Sequence, residues 1–146
     1  MKPSFAFLAL FAGITLLAGC AGTPHQQVFD AGDALQTRSY QTRAFATTHR
    51  ENTLRAIIAT LQDLGFVIDK VDANLGTVSG TKLRMYELRM TASVRPRGTT
   101  QLLVRANAQF KPMPNAIAKP IDEPGPYQDF FAALAKSLFL EAQQVD

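Results

Sequence analysis

Apolar residues along this chain fall into runs of three different periods. The clearest helical one is Leu54, Ile57, Ile58, Leu61 and Leu64, spaced to line one side of a helix. It predicts a helix over Arg50–Leu64. Thr48-His49-Arg50-Glu51 has the spacing of a capping box. The Thr48 hydroxyl would accept from the N–H three residues on, and the Glu51 carboxylate would reach back. Gly65 stands where a left-handed residue ends a helix, and Phe66 after it can fold back on the last turn.

Period-two runs surround that helix. Tyr40 to Phe45 (YQTRAF) alternates weakly and predicts a first strand. Phe66–Val71 is apolar and β-rich, Asp72-Ala73-Asn74-Leu75-Gly76 is turn chemistry, and Thr77–Leu83 predicts the next strand. Tyr86, Leu88, Met90, Ala92 and Val94 then alternate with polar neighbours. Leu102, Val104, Ala106, Ala108 and Phe110 mirror them. The two runs predict a long hairpin with one buried and one wet face. A three-residue loop of Pro96, Arg97 and Gly98, pairing Arg95 with Thr99, keeps the apolar residues together. That register sets Arg89 opposite Arg105, an unfavourable pair of like charges. Five prolines between Pro112 and Pro126 predict a loop. Tyr127, Phe130, Phe131, Leu134, Leu138 and Phe139 resume helical spacing. The order is β-α-β-β-β-β-α. It predicts an α+β fold, an antiparallel sheet with two helices packed on one face and the other face open and polar.

The third kind of run is Phe5 to Leu17, almost unbroken (FAFLALFAGITLL) and preceded by one charge, Lys2. It is shorter than the ~20 apolar residues that span a bilayer. A positive start, a short apolar stretch and small residues predict a secretory signal. Leu17-Ala18-Gly19-Cys20 resembles the lipobox of bacterial lipoproteins, and Cys20 is the only cysteine. The resemblance implies a diacylglyceryl group on the Cys20 thiol, cleavage before it and acylation, including palmitate, of the new amine. Three acyl chains make an effectively permanent anchor at ~0.8 kcal/mol per buried CH₂. Ala21 stands where enterobacterial lipoproteins retained at the inner membrane have Asp, so the resemblance implies the outer membrane, with the domain facing the periplasm. The expected organisation is a signal peptide over 1–19, the lipidated Cys20 and a flexible tether over 20–38, and one periplasmic domain over 39–146.

Arg43 to Lys82 carries a second likeness. A strand leads to a helix ending Leu61-Gln62-Asp63-Leu64-Gly65-Phe66-Val67-Ile68, then the acidic turn Asp72-Ala73-Asn74-Leu75-Gly76 and another strand. This resembles the helix-grip domain of BamC-type lipoproteins, accessory subunits of the outer-membrane β-barrel assembly machine. The chain has room for one such domain where that family has two, and a shorter tether. The resemblance implies a small periplasmic domain that contacts other proteins.

Composition narrows the chemistry. At 146 residues, 47% hydrophobic, the chain holds one core. A net charge of +3 is too small and dispersed for a nucleic-acid partner. One Cys and two His exclude an internal disulfide and an ordinary zinc site, so no metal or cofactor is expected beyond the lipid on Cys20. His49 lacks a nucleophile and orienting group, and Asp69, Asp72 and Asn74 do not have EF-hand spacing. The expected partner-binding face is the wet side of the hairpin: Arg89, Arg95, Arg105, Asn107 and Lys111. The expected function is a non-enzymatic, membrane-anchored envelope-assembly or protein-binding module. The alternative is a lipid- or hydrophobe-binding domain holding its ligand between the final helix and the sheet, against Phe130, Leu134 and Phe110.

Overall fold

The computed structural model describes residue 36 and residues 38–143, with side chains as far as Phe139. The expected signal peptide, the lipobox residues Leu17, Ala18 and Gly19, Cys20 and nearly all of the tether lie outside the described residues. The elements run β1 (Thr42–Phe45), α1 (Arg50–Asp63), β2 (Val67–Asp72), β3 (Thr77–Leu83), β4 (Glu87–Arg97), β5 (Gln101–Lys111), β6 (Lys119–Pro120) and α2 (Gly125–Gln143).

The fold is α+β, with an antiparallel sheet in the order β1-β5-β4-β3-β2. Both helices cover one face, as the periodicity required. β6 joins the edge of β5 that β1 also uses. β1 pairs with Leu102–Arg105 and β6 with Gln109 and Phe110.

The alternation of β4 and β5 becomes the core. Met90, Ala92 and Val94 stand beside Ala108, Ala106 and Val104 in direct register, all buried. Three of these six are alanines. Their small side chains let α2 lie close enough to seat Tyr127, Phe130, Phe131 and Leu134, each almost fully buried. Phe130 and Phe131 meet edge to face at 5.1 Å. α1 adds Leu54, Ala56, Ile57 and Leu61. Burial of each large apolar side chain contributes about 1.5–3 kcal/mol.

The end of α1 follows its sequence signal. Gly65 has φ +82°, its N–H donates to the Gln62 carbonyl, and the Phe66 N–H donates to the Leu61 carbonyl. That pair of bonds is a Schellman motif, and Phe66 is buried against the helix.

Four expectations need correction. First, residues 38–41 are helical, so β1 begins at Thr42 rather than Tyr40. Second, the capping box does not form. His49 is the N-cap and no side chain caps the helix. The Arg50 N–H is turned back to the Thr48 carbonyl, which leaves the Thr48 hydroxyl one residue too early. Glu51 instead pairs with Arg55, one turn along the helix, at 2.6 Å.

Third, the hairpin turns two residues later than expected. Arg97 pairs with Gln101 around Gly98, Thr99 and Thr100, and Gly98 has φ +63°. Pro96 is tolerated inside β4 because β3 last pairs at Ser93, so no neighbour on that side needs its missing N–H. The new register sets Arg105 opposite Ser93 and Arg89 opposite Gln109. It removes the like-charge pair yet keeps Met90, Ala92, Val94, Val104, Ala106 and Ala108 inward, because moving the turn by two residues preserves the pleat. Fourth, the proline-rich stretch is not all loop. It contributes β6, and α2 starts at Gly125 with Pro126 in its first turn, where a missing N–H costs nothing.

Candidate partner-binding face

Among the described residues no helix lies on the sheet's second face, and its side chains are set by the pleat. Arg89 and Arg95 of β4, and Arg105, Asn107 and Lys111 of β5, project to this one face, with all but Lys111 well exposed. They do not form a uniform basic surface. Lys111 lies opposite Glu87. Arg89 is held 3.5 Å from the Asp69 carboxylate, which also accepts the Thr81 hydroxyl at 2.6 Å. The register of β2 slips between Ile68 and Lys70, and Asp69 is the residue at the slip, where it reaches the polar face. Arg95 and Arg105 sit diagonally across the β4–β5 pair, toward the Gly98 turn. Neither makes an ion pair among the described residues.

Between these ends the face is neutral and hydroxyl-rich. Ser79 and Thr91 hydroxyls bond at 3.0 Å, and Thr77, Ser93 and Thr42 continue the row. Beside them runs a polar trough of about 470 Å³ lined by Gln41, Arg89, Thr91, Asn107 and Gln109, with Pro120 as one wall. A second recess of about 240 Å³ shares Arg89 and Gln109 and extends to Glu87, Lys111 and Ala116. The wall exists because β6 pairs with β5, and β6 is fixed through Tyr127. The buried Tyr127 hydroxyl donates to the Ile121 carbonyl at 2.7 Å. It accepts from the Ala108 N–H at 3.1 Å and from the Gln41 amide at 3.2 Å.

Gln41 and Pro120 were not singled out from the sequence. Gln109 carried a signal, since it sits in the alternation between Asn107 and Lys111. Gln41 and Pro120 carried none, because only the three bonds to Tyr127 and the pairing of β6 bring them there.

The remaining candidates have local duties. Asp72 caps the turn by accepting the Leu75 N–H at 2.9 Å, and the Asn74 carbonyl accepts from Arg50 at 2.8 Å. His49 borders a recess of about 300 Å³ with Phe45, Leu138 and Phe139. Phe130 and Leu134 are fully buried in the core, whereas Phe110 lies at the sheet end, its ring edge-on to Tyr86 at 5.1 Å. Among the described residues no group of three or more His, Cys, Asp or Glu could hold a metal ion, and no helix is long and apolar enough to cross a membrane. Compared with models of protein families and with curated proteins, the chain matches none.

Proposed function

We propose that this is a lipoprotein anchored through Cys20 in the outer membrane, whose periplasmic domain is a non-enzymatic binding module for envelope assembly. The observation that carries the reading is the face of the sheet that no described helix covers. Both helices pack their apolar sides on the opposite face, while Arg89 and Asn107 stand exposed on a preformed trough and Arg105 lies exposed two residues along β5. Carboxamides such as Asn107 and Gln109 donate and accept together, so they suit the backbone of an extended peptide segment. The arginines add attraction for its carboxylates and raise the encounter rate.

The test is recovery of partners by the full lipidated chain from its own detergent-solubilised envelope, with Arg89→Glu/Arg105→Glu alongside. One envelope complex recovered with the wild type and lost with the variant is the expected result. Recovery that ignores the charge reversal overturns the assignment of the face. Intact mass reports the anchor separately, since a Cys20 without diacylglycerol removes the lipoprotein reading and leaves the face untouched.

A further inference from the structure

Among the described residues nine large apolar side chains are exposed, and five of them gather at one end of the sheet. Leu83, Met85 and Tyr86 form the β3–β4 turn, and Met113 belongs to the following loop. Together they surround a recess of about 220 Å³ with Arg84 and Lys111 at its rim. Ile117 joins them from the same loop, flanked by Ala116 and Ala118, which stand beside Glu87 and Lys111. Met85 is 93% exposed and Ile117 86%. These are turn tips on a firm frame. The Arg84 N–H donates to the Tyr86 carbonyl at 3.0 Å, the Tyr86 ring rests on Phe110, and the Ala116 N–H donates to the Met113 carbonyl at 3.0 Å.

Exposed apolar side chains clustered in this way mark an interaction surface, and two observations choose its occupant. One is the direction of the chain. β1 is antiparallel to β5, with Thr42 opposite Arg105 and Phe45 opposite Leu102, so the chain enters β1 from the Lys111 end. Gln41, tied to Tyr127, marks that entry. The described residues just before Thr42 therefore lie on the side where the apolar tips lie. Seventeen residues, 21–37, separate Cys20 from residue 38, a contour of at most about 60 Å. The other is charge. The apolar tips are bordered by Arg84 and Lys111 against a single acid, Glu87. Protruding Leu, Met and Ile with a Tyr beside them and cations at the rim match the boundary between acyl chains and anionic headgroups.

We infer that this end of the sheet docks on a phospholipid bilayer bearing anionic headgroups, inserting Leu83, Met85, Met113 and Ile117. The inference rests on the Cys20 anchor of the proposed function, which holds the tips near the same bilayer so that a weak contact suffices. Docking would stand the sheet on the membrane with its polar face turned sideways toward other envelope proteins.

The chain contains no Trp, so one introduced Trp reports its own surroundings. Met85→Trp and, at the far end of the hairpin, Thr99→Trp are made in the full lipidated chain. Each is reconstituted into phosphatidylethanolamine/phosphatidylglycerol vesicles with brominated acyl chains. Docking ~5–10 Å into the interface predicts a blue shift and loss of roughly half the emission for Met85→Trp. Thr99→Trp stays in water. Adding Met113→Glu and Ile117→Glu should return the Met85→Trp signal to that of water with the fold's circular dichroism unchanged. Met85→Trp emission that matches Thr99→Trp in the vesicles overturns the inference. So does burial of that Trp only when other envelope proteins are added, which gives the patch to a protein partner. Intact mass separates the two readings. A chain acylated at Cys20 but unquenched keeps the anchor and loses the docking. A quenched chain without the acyl groups does the reverse.

Discussion

At the scale of single residues, backbone space rather than side-chain chemistry sets the tightest constraint. Gly76 has φ +70°, and a Cβ there would lie 2.5 Å from a guanidinium nitrogen of Arg50 and 2.8 Å from the Val94 carbonyl oxygen. Gly98 has a similar φ of +63° but nothing within 4 Å of its missing Cβ. The two positions separate backbone strain from crowding. Gly98→Ala should cost about 1–2 kcal/mol, the left-handed penalty alone. Gly76→Ala should cost roughly 2–4 kcal/mol, because the crowding adds to it and displaces Arg50 from the Asn74 carbonyl. Urea denaturation of the two variants side by side checks the difference. Tyr127 is constrained instead by its side-chain hydroxyl. Phenylalanine there removes one hydroxyl and leaves the Ala108 N–H, the Ile121 carbonyl and the Gln41 amide without it. Tyr127→Phe should therefore lower stability by roughly 2–3 kcal/mol, and in heteronuclear NMR spectra the Ala108 amide, which donates to that hydroxyl, should shift most.

Elements differ in how many neighbours hold them. β4 and β5 lie at the middle of the sheet and pair over eleven residues each. β2 is an edge strand with a register slip, and Val67 is 73% exposed. Hydrogen exchange should follow that order. The slowest amides are expected in Met90–Val94 and Val104–Ala108, and the faster ones in Val67–Asp72. Equal protection in β2 and β4 would mean that the edge is covered by something else. The slip also makes the exposed edge a poor template for pairing. It turns Asp69 toward Thr81 and Arg89 and breaks the flat ladder that a second chain would copy.

Across the whole molecule, stability comes from one face of the sheet and the proposed recognition from the other. Arg89, Arg105, Asn107 and Gln109 add little to the core, so changes there should be nearly silent in stability. Arg89→Glu/Arg105→Glu should stay within about 1 kcal/mol of wild type in thermal unfolding, since the Arg89–Asp69 pair is half exposed. Loss of partner recovery in that variant then reports contact and not unfolding. The apolar tips at the Lys111 end make a separate demand, because they leave uncovered what the helices cover elsewhere.

Periodicity by itself determined the α+β class, α1, the long hairpin and which residues of β4 and β5 face inward. Those properties depend on spacings of two and 3.6 residues, and such spacings are written locally. It also placed Arg89, Arg95, Arg105, Asn107 and Lys111 on one face, since parity alone decides that. Tertiary structure decided the rest. The hairpin register depended on where β3 stops beside Pro96, a long-range fact. The split of the basic residues depended on Asp69 reaching the same face across β3. β6 had no pattern of its own, because two residues cannot show a period, and only Tyr127 and the edge of β5 define it. The trough and the apolar end are likewise products of segments far apart in the chain. Their geometry comes from pairing and packing, to which local spacing is blind.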